Sequence, residues 1–165
     1  MYKVTSKEYF QENPEALRRE DNIIKTLALI YTGSLKAIEE KYGPEAVEVA
    51  RQGFLEAKLS ADKEAFDAME EKSVEKYCEW LNTILHLTHD FDMVYDEEKN
   101  EAQYEIRSCP WATHFKAIGG EKYGVFFCDA DCPMVDIYGA NVGFDRTKVL
   151  MNGDDCCNHR YFEKK

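Results

Sequence analysis

The stretch HDFDMVYDEEKNEAQYEIRSC, residues 89–109, marks a change in the secondary-structure pattern of the chain. It contains two short runs in which apolar and polar residues alternate, Phe91-Met93-Tyr95 and Ala102-Tyr104-Ile106. Such alternation is typical of strands that bury one face, and the polar segment DEEKN between the runs predicts a turn. The stretch therefore predicts a β-hairpin.

Before this hairpin, the apolar residues recur at helical spacing from residue 13 to about residue 90. Asn13 and Pro14 predict the N-cap and first position of a helix. Gly43 and Pro44 predict its end and the start of a second helix, and the run 64–89 predicts a third helix of five or six turns. The apolar residues expected to face the core in the first helix are Leu17, Ile23, Ile24, Leu27 and Ile30.

After the hairpin, the signals mix short helices with strands. Pro110 predicts the start of a short helix, and Pro133 predicts a kink or an end in the next one. Residues 142–151 and 156–162 are strand-like and flank NGDD, which predicts a second hairpin. The predicted fold class is α+β, as one domain over residues 1–165. An N-terminal helical bundle (13–90) packs on a small antiparallel sheet with a C-terminal hairpin, and the 91–162 part carries the candidate site.

Composition limits the classes of partner. A chain of 165 residues with 44% hydrophobic residues can bury a core without cross-links. Its net charge of −11 repels phosphate backbones, so we expect no nucleic-acid partner. No apolar run approaches the ~20 residues that span a bilayer, and the first residues lack the apolar core of a signal peptide. We therefore expect a cytoplasmic protein without a membrane partner, with a homo-oligomer left open.

Five of the six cysteines follow residue 108, and only Cys78 lies earlier, within an apolar helical pattern. In a reducing compartment, cysteines are core residues, metal ligands or reactive thiols more often than disulfides. We expect Cys78 to be a packed core thiol.

The segment NGDDCCNHRYF, residues 152–162, concentrates reactive groups. Because side chains alternate along a strand, Cys157 and His159 project from one face and Arg160 from the other. An even number of residues in the hairpin loop would place Arg146 on the face of Cys157 and His159, whereas a three-residue loop would place it on the other face. The nearest element in the sequence that can cover this face is the helix carrying Cys128, Asp131 and Cys132.

Three interpretations of this cluster remain open. A thiol with a lowered pKa could be a nucleophile, with an imidazole or carboxylate handling protons and an arginine holding a substrate carboxylate. Alternatively, the thiols pack at a helix–sheet junction. The third interpretation is a metal site, although no cofactor is firmly implied. Either zinc is bound by Cys128, Cys132, Cys157 and His159, or several of the cysteines hold an iron–sulfur cluster.

Four motifs add a resemblance: CPW at 109–111, FFCDADCPM at 126–134, RT at 146–147, and NGDDCCNHRYF. Over about residues 105–162 the chain resembles the L-2-amino-thiazoline-4-carboxylic acid hydrolase family. Asn158 stands where the family pattern usually has aspartate. The positions that match the pattern are Cys109, Cys128, Asp131, Arg146, Gly153, Asp154, Cys157 and Arg160.

The resemblance implies a hydrolase that acts on a non-peptide C–N bond and opens a small carboxylate-bearing cyclic amidine without a nucleotide cofactor. Such chemistry needs a nucleophile, for which Cys128 and Cys157 are candidates beside a water activated by Asp131. Asp131 or His159 would donate the proton and Arg146 would hold the carboxylate.

Further implied substrate-binding residues are Cys109, Asp154 and Arg160. The end of the chain is also similar to the 4-vinyl-reductase-type small-molecule-binding domains, which implies as an alternative a non-catalytic sensor of a small molecule or a metal.

Overall fold

A computed structural model describes residues 1–5, 14–86 and 88–165 and has the expected α+β architecture. The helices are α1 (Pro14–Tyr42), α2 (Pro44–Asp67), α3 (Val74–Leu85), α4 (Pro110–Ala117), α5 (Glu121–Asp129) and α6 (Asp131–Tyr138). The strands are β1 (Tyr2–Thr5), β2 (Asp90–Asp96), β3 (Glu101–Ser108), β4 (Val142–Arg146) and β5 (His159–Glu163). They form one antiparallel sheet in the order β1-β2-β3-β5-β4.

The N-terminal helices begin and end largely where the sequence predicts. Gly43, with φ of +84°, separates α1 from α2, and Pro44 occupies the first position of α2. The N-cap predicted at Asn13 lies outside the described residues. The single helix predicted for 64–89 was wrong, because α2 ends at Asp67 and α3 starts anew at Val74. Ser73 caps α3, with its extended backbone and a side chain that accepts a hydrogen bond from the Lys76 N–H.

The buried face of α1 differs from the predicted one. Only Ile24 of the predicted core stripe is buried, whereas Ile23, Leu27 and Ile30 are 46%, 45% and 61% exposed. The other buried residues of α1 are Ala28, Thr32 and Leu35. Small residues of α1 face the α4–α5 segment because the two segments approach closely there. A Cβ on Gly120 would lie 2.3 Å from Thr32 Oγ1.

The sheet buries one face, as the alternating pattern of β2 and β3 predicted. Phe91, Met93 and Tyr95 of β2 point into the core, as do Tyr104 and Ile106 of β3. The opposite face carries charged side chains that pair across the strands. In the part of the chain that the structure describes, helices pack against the inner face of the sheet.

The predicted C-terminal hairpin is present, but its strands are shorter than expected. The strand predicted for 142–151 ends at Arg146, because side chains in the 147–158 loop take up the backbone N–H groups that a strand would pair. Asn158 accepts hydrogen bonds from Thr147 N and Lys148 N, and Asp154 accepts one from Val149 N. NGDD does not form a tight hairpin turn, because this part of the loop is a 3₁₀ turn, Leu150–Asn152.

The core between helices and sheet is rich in aromatic rings. Tyr77 of α3 packs against Tyr138 of α6 and Tyr161 of β5, with ring centroids 5.0 Å apart in both pairs. Cys78 is fully buried in this core, as expected. None of the helices in the described ranges combines the length and the apolar character that crossing a bilayer requires.

Replacing Gly124 of α5 by alanine is expected to destabilise the fold. The added Cβ would lie 2.6 Å from Phe115 Cγ and 2.8 Å from Met151 Cε, which forces core side chains to move. Overpacking of this kind costs roughly 1–3 kcal/mol. Gly53→Ala in α2 is the matched control: nothing lies within 4 Å of the new Cβ, so helix propensity should stabilise it by about 0.5–1 kcal/mol. Urea unfolding measures both changes, and a gain in both variants would contradict the packing described here.

Candidate active site

The junction between α5 and α6 places Asp131 over the C-terminal hairpin. A proline at position 133 would collide with the carbonyl of Asp129 in one continuous helix, so α5 ends at Asp129 and α6 begins at Asp131. Pro133 then lies in the first turn of α6, where its missing N–H costs no helical hydrogen bond. Asp131 becomes the first residue of the new helix.

Asp131 is bound by an arginine from the hairpin. Arg146 Nη1 donates hydrogen bonds to Asp131 Oδ2 and, over 3.2 Å, to the carbonyl oxygen of Cys128. Arg146 of β4 lies directly opposite His159 of β5, so both occupy the same face, as expected for an even number of loop residues. The His159 Nε2 atom is 3.8 Å from Asp131 Oδ2, which is too far for a direct hydrogen bond.

His159 is a buried imidazole with one uncommitted nitrogen. Its Nδ1 lies 3.2 Å from the Tyr161 hydroxyl, while its buried Nε2 has no hydrogen-bond partner among the described residues. Burial, followed by the charge of Arg146, lowers the pKa of His159 to about 3. The imidazole is therefore neutral at physiological pH, and either tautomer leaves Nε2 facing Asp131.

Three thiols lie near this group. The electrostatic environment of Cys128 includes Asp131, Arg146, Cys109 and Cys157, so these groups are close enough to influence the pKa of Cys128. Cys157 also accepts a hydrogen bond from Leu150 N at its Sγ, over 3.2 Å. We call the six residues Asp131, Arg146, His159, Cys109, Cys128 and Cys157 the Asp131 cluster.

Burial keeps these thiols protonated. It raises the pKa of Cys109 to about 12, raises the pKa of Cys128 further, and raises the pKa of Cys157 as well. Asp131 adds to the effect for Cys128, and the opposing charge of Arg146 is the smaller influence. Because the thiolate is the reactive form, thiols in such an environment are poor nucleophiles at neutral pH.

Asp131, unlike the three thiols, can exchange a proton near neutral pH. Burial raises its pKa to about 6, against the lowering effect of Arg146. The side chains of Asp131 and Arg146 remain 21% and 18% exposed. The Asp131 cluster therefore combines an accessible ion pair with a neutral imidazole and protonated thiols.

His89 is a buried residue beside this cluster that sequence reasoning missed. It lies between α3 and β2, with Nδ1 2.8 Å from Thr88 Oγ1, and a charge on it would disfavour a charge on His159. Burial lowers the pKa of His89 to about 4. The sequence around it matches no motif, and it comes near His159 because β2 and β5 both pair with β3.

Other predicted site residues lie elsewhere. Arg160 projects from the opposite face of β5 and pairs with Glu101 and Asp145. Asp154 caps the 147–158 loop through Val149 N, beside Gly153, whose φ is +101°. These positions shape the hairpin and its loop rather than the Asp131 cluster.

The predicted metal set is not assembled. Cys132 is exposed on α6, and within residues 1–5, 14–86 and 88–165 no group of three or more His, Cys, Asp or Glu side chains is placed to hold a metal ion. Surface hollows of about 560, 520 and 710 Å³ are lined by residues outside the Asp131 cluster. A ligand would reach the cluster through the exposed parts of Asp131 and Arg146.

Comparison with known families gives one match. The family model described as L-2-amino-thiazoline-4-carboxylic acid hydrolase matches residues 21–161, which is most of the chain. The match includes the N-terminal helices as well as the Asp131 cluster. No curated protein and no solved structure matches the chain.

The buried groups should have opposite effects on acid stability. His159, whose pKa is lowered in the folded protein, gains a proton on unfolding. Its contribution to the free energy of unfolding is therefore lost as the pH falls from 6.5 towards 3. Asp131, whose pKa is raised in the folded protein, loses a proton on unfolding. Its contribution to the free energy of unfolding is therefore lost as the pH rises from about 4 through 6. Near pH 5, His159→Gln should therefore lower the slope of unfolding free energy against pH, and Asp131→Asn should raise it. Each change should be about 1 kcal/mol per pH unit.

Urea unfolding of both variants and the parent at half-unit intervals from pH 4.5 to 6 measures these slopes. Asp145→Asn serves as the control, because Asp145 is exposed and pairs with Arg160 on the outer face of the sheet. Equal slopes for the parent and both site variants would contradict the protonation states described for the cluster.

Proposed function

Because the chain belongs to the L-2-amino-thiazoline-4-carboxylic acid hydrolase family, we propose that it hydrolyses a small cyclic amidine that carries a carboxylate. The observation that carries the proposal is the uncommitted Nε2 of buried His159, 3.8 Å from the carboxylate that Arg146 binds. A guanidinium for a substrate carboxylate and two groups for proton transfer are thus adjacent.

Water is the nucleophile that this arrangement favours. Burial keeps the thiols of Cys128 and Cys157 protonated, which makes them poor nucleophiles, and the imidazole of His159 faces Asp131. A water molecule between Asp131 and His159 would contact two groups with which it can exchange protons. The cysteines then pack around the reacting group instead of bonding to it.

Ring opening takes two steps in this scheme. The water oxygen bonds to the amidine carbon, one water proton passes to the Asp131–His159 pair, and the ring nitrogen takes a proton from the pair. The bond between that carbon and a ring heteroatom then breaks, and the heteroatom keeps the electron pair. The heteroatom takes a proton from the Asp131–His159 pair. The hydroxyl on the former amidine carbon gives a proton back to the pair and becomes a carbonyl. One water is consumed, the pair is restored, and 2-aminothiazoline-4-carboxylate would give a carbamoyl-cysteine.

The predicted kinetic pattern separates water from thiol catalysis. With 2-aminothiazoline-4-carboxylate as substrate, Asp131→Asn and His159→Gln should each lower kcat by 10²-fold or more, because they remove proton transfer. Cys128→Ser and Cys157→Ser should retain kcat within about tenfold of the parent, since a hydroxyl fills nearly the same volume. Product formation is measured by chromatography, and Asp145→Asn is the control outside the cluster.

Loss of all turnover in Cys128→Ser or Cys157→Ser, with normal folding, would establish a thiol nucleophile in place of water. No turnover by the parent protein would remove this substrate. Binding of the compound without turnover would instead favour the non-catalytic small-molecule-binding module.

A further inference from the structure

Arg146 has donors that the protein does not use. Both of its hydrogen bonds, to Asp131 and to the Cys128 carbonyl, leave from Nη1. In the described part of the chain, Nη2 and Nε donate to no other group. The edge of a guanidinium that is formed by Nη2 and Nε can bind a carboxylate through two parallel hydrogen bonds.

A carboxylate at that edge would share Arg146 with Asp131. The other charged groups that influence Asp131 are Lys58 of α2 and Asp129 of α5, and Lys58 is itself paired with Asp62 over 2.7 Å. The remaining titratable groups around Asp131 are neutral: the three cluster thiols, His159, Tyr77 and Tyr161. One guanidinium would then face two adjacent carboxylates in a poorly solvated site.

We propose that binding of a ligand carboxylate to Arg146 is coupled to the uptake of one proton from solvent by the Asp131–His159 pair. The proton resides on Asp131, whose Oδ2 lies 3.8 Å from His159 Nε2. The inference rests on the proposed function, because it identifies how the proton donor for ring opening is loaded. The carboxylate of the substrate supplies the negative charge that favours protonation of the pair, and the protonated pair is the acid for ring opening.

Physical chemistry favours Asp131 as the acceptor of this proton. Its pKa is already raised to about 6 by burial, so the carboxylate is mostly ionised at pH 7 and one added anion suffices to protonate it. His159, in contrast, resists protonation because burial and Arg146 act in the same direction on its pKa. Protonated Asp131 remains next to Nε2, and the two groups can exchange the proton during turnover.

The test uses a ligand that binds without reacting. The aromatic analogue 2-aminothiazole-4-carboxylate keeps the carboxylate and the amino-substituted ring but resists addition of water. Titration calorimetry at pH 7 in buffers of different ionisation enthalpy should show uptake of roughly half a proton or more per site. The dissociation constant should rise by up to tenfold between pH 6.5 and 7.5, since one proton is bound with the ligand.

Variants identify the group that takes the proton. Asp131→Asn should bind the analogue without proton uptake and with little dependence on pH. Asp145→Asn should behave like the parent, because it lies on the neighbouring position of β4 but pairs with Arg160 on the other face. Proton uptake that persists in Asp131→Asn would overturn the assignment.

Measurements of binding, proton uptake and turnover on the parent protein alone also test the inference. Binding without proton uptake overturns the inference and leaves the hydrolase proposal intact, whereas uptake without turnover of the thiazoline supports the inference and removes the hydrolase. Absence of binding overturns both.

Discussion

The packing of Tyr161 against Tyr77 determines the arrangement of the candidate site. Both rings are almost fully buried, and their centroids lie 5.0 Å apart between β5 and α3. Because side chains alternate along a strand, an inward Tyr161 places His159 inward and Arg160 outward. The antiparallel register then sets Arg146 opposite His159. The aromatic core therefore fixes which side chains meet Asp131.

The burial that organises this core also decides the charge states within it. Placing a thiol or an imidazole away from water disfavours its charged form, which leaves Cys128 and His159 neutral. The ion pair between Asp131 and Arg146 is retained, although a buried pair seldom contributes net stability over apolar residues of similar size. Such a pair, partly open to solvent, is better explained by chemistry than by folding.

Local signals predicted those parts of the structure that short-range physics controls. The β2–β3 hairpin follows from strict alternation, and Gly43 with Pro44 separates two helices. The sequence left the parity of the hairpin loop open, and the register of β4 and β5 places Arg146 opposite His159. The buried face of α1 could not be read, because two adjacent faces of that helix satisfy helical periodicity and only close packing at Thr32 selects one. His89 comes near His159 because β2 and β5 both pair with β3, and no local sequence pattern predicts this arrangement.

Asn158, which stands where the family-like pattern usually has aspartate, falls outside the proposed chemistry. Asn158 lies between two inward residues of the last strand segment, so its side chain points away from Asp131. It accepts hydrogen bonds from Thr147 N and Lys148 N, and its Nδ2 donates to Thr147 Oγ1. An aspartate could accept the same two backbone hydrogen bonds, by which Asn158 holds the 147–158 loop in this chain. Asparagine preserves those acceptors, and the exchange removes no proton carrier from the Asp131 cluster.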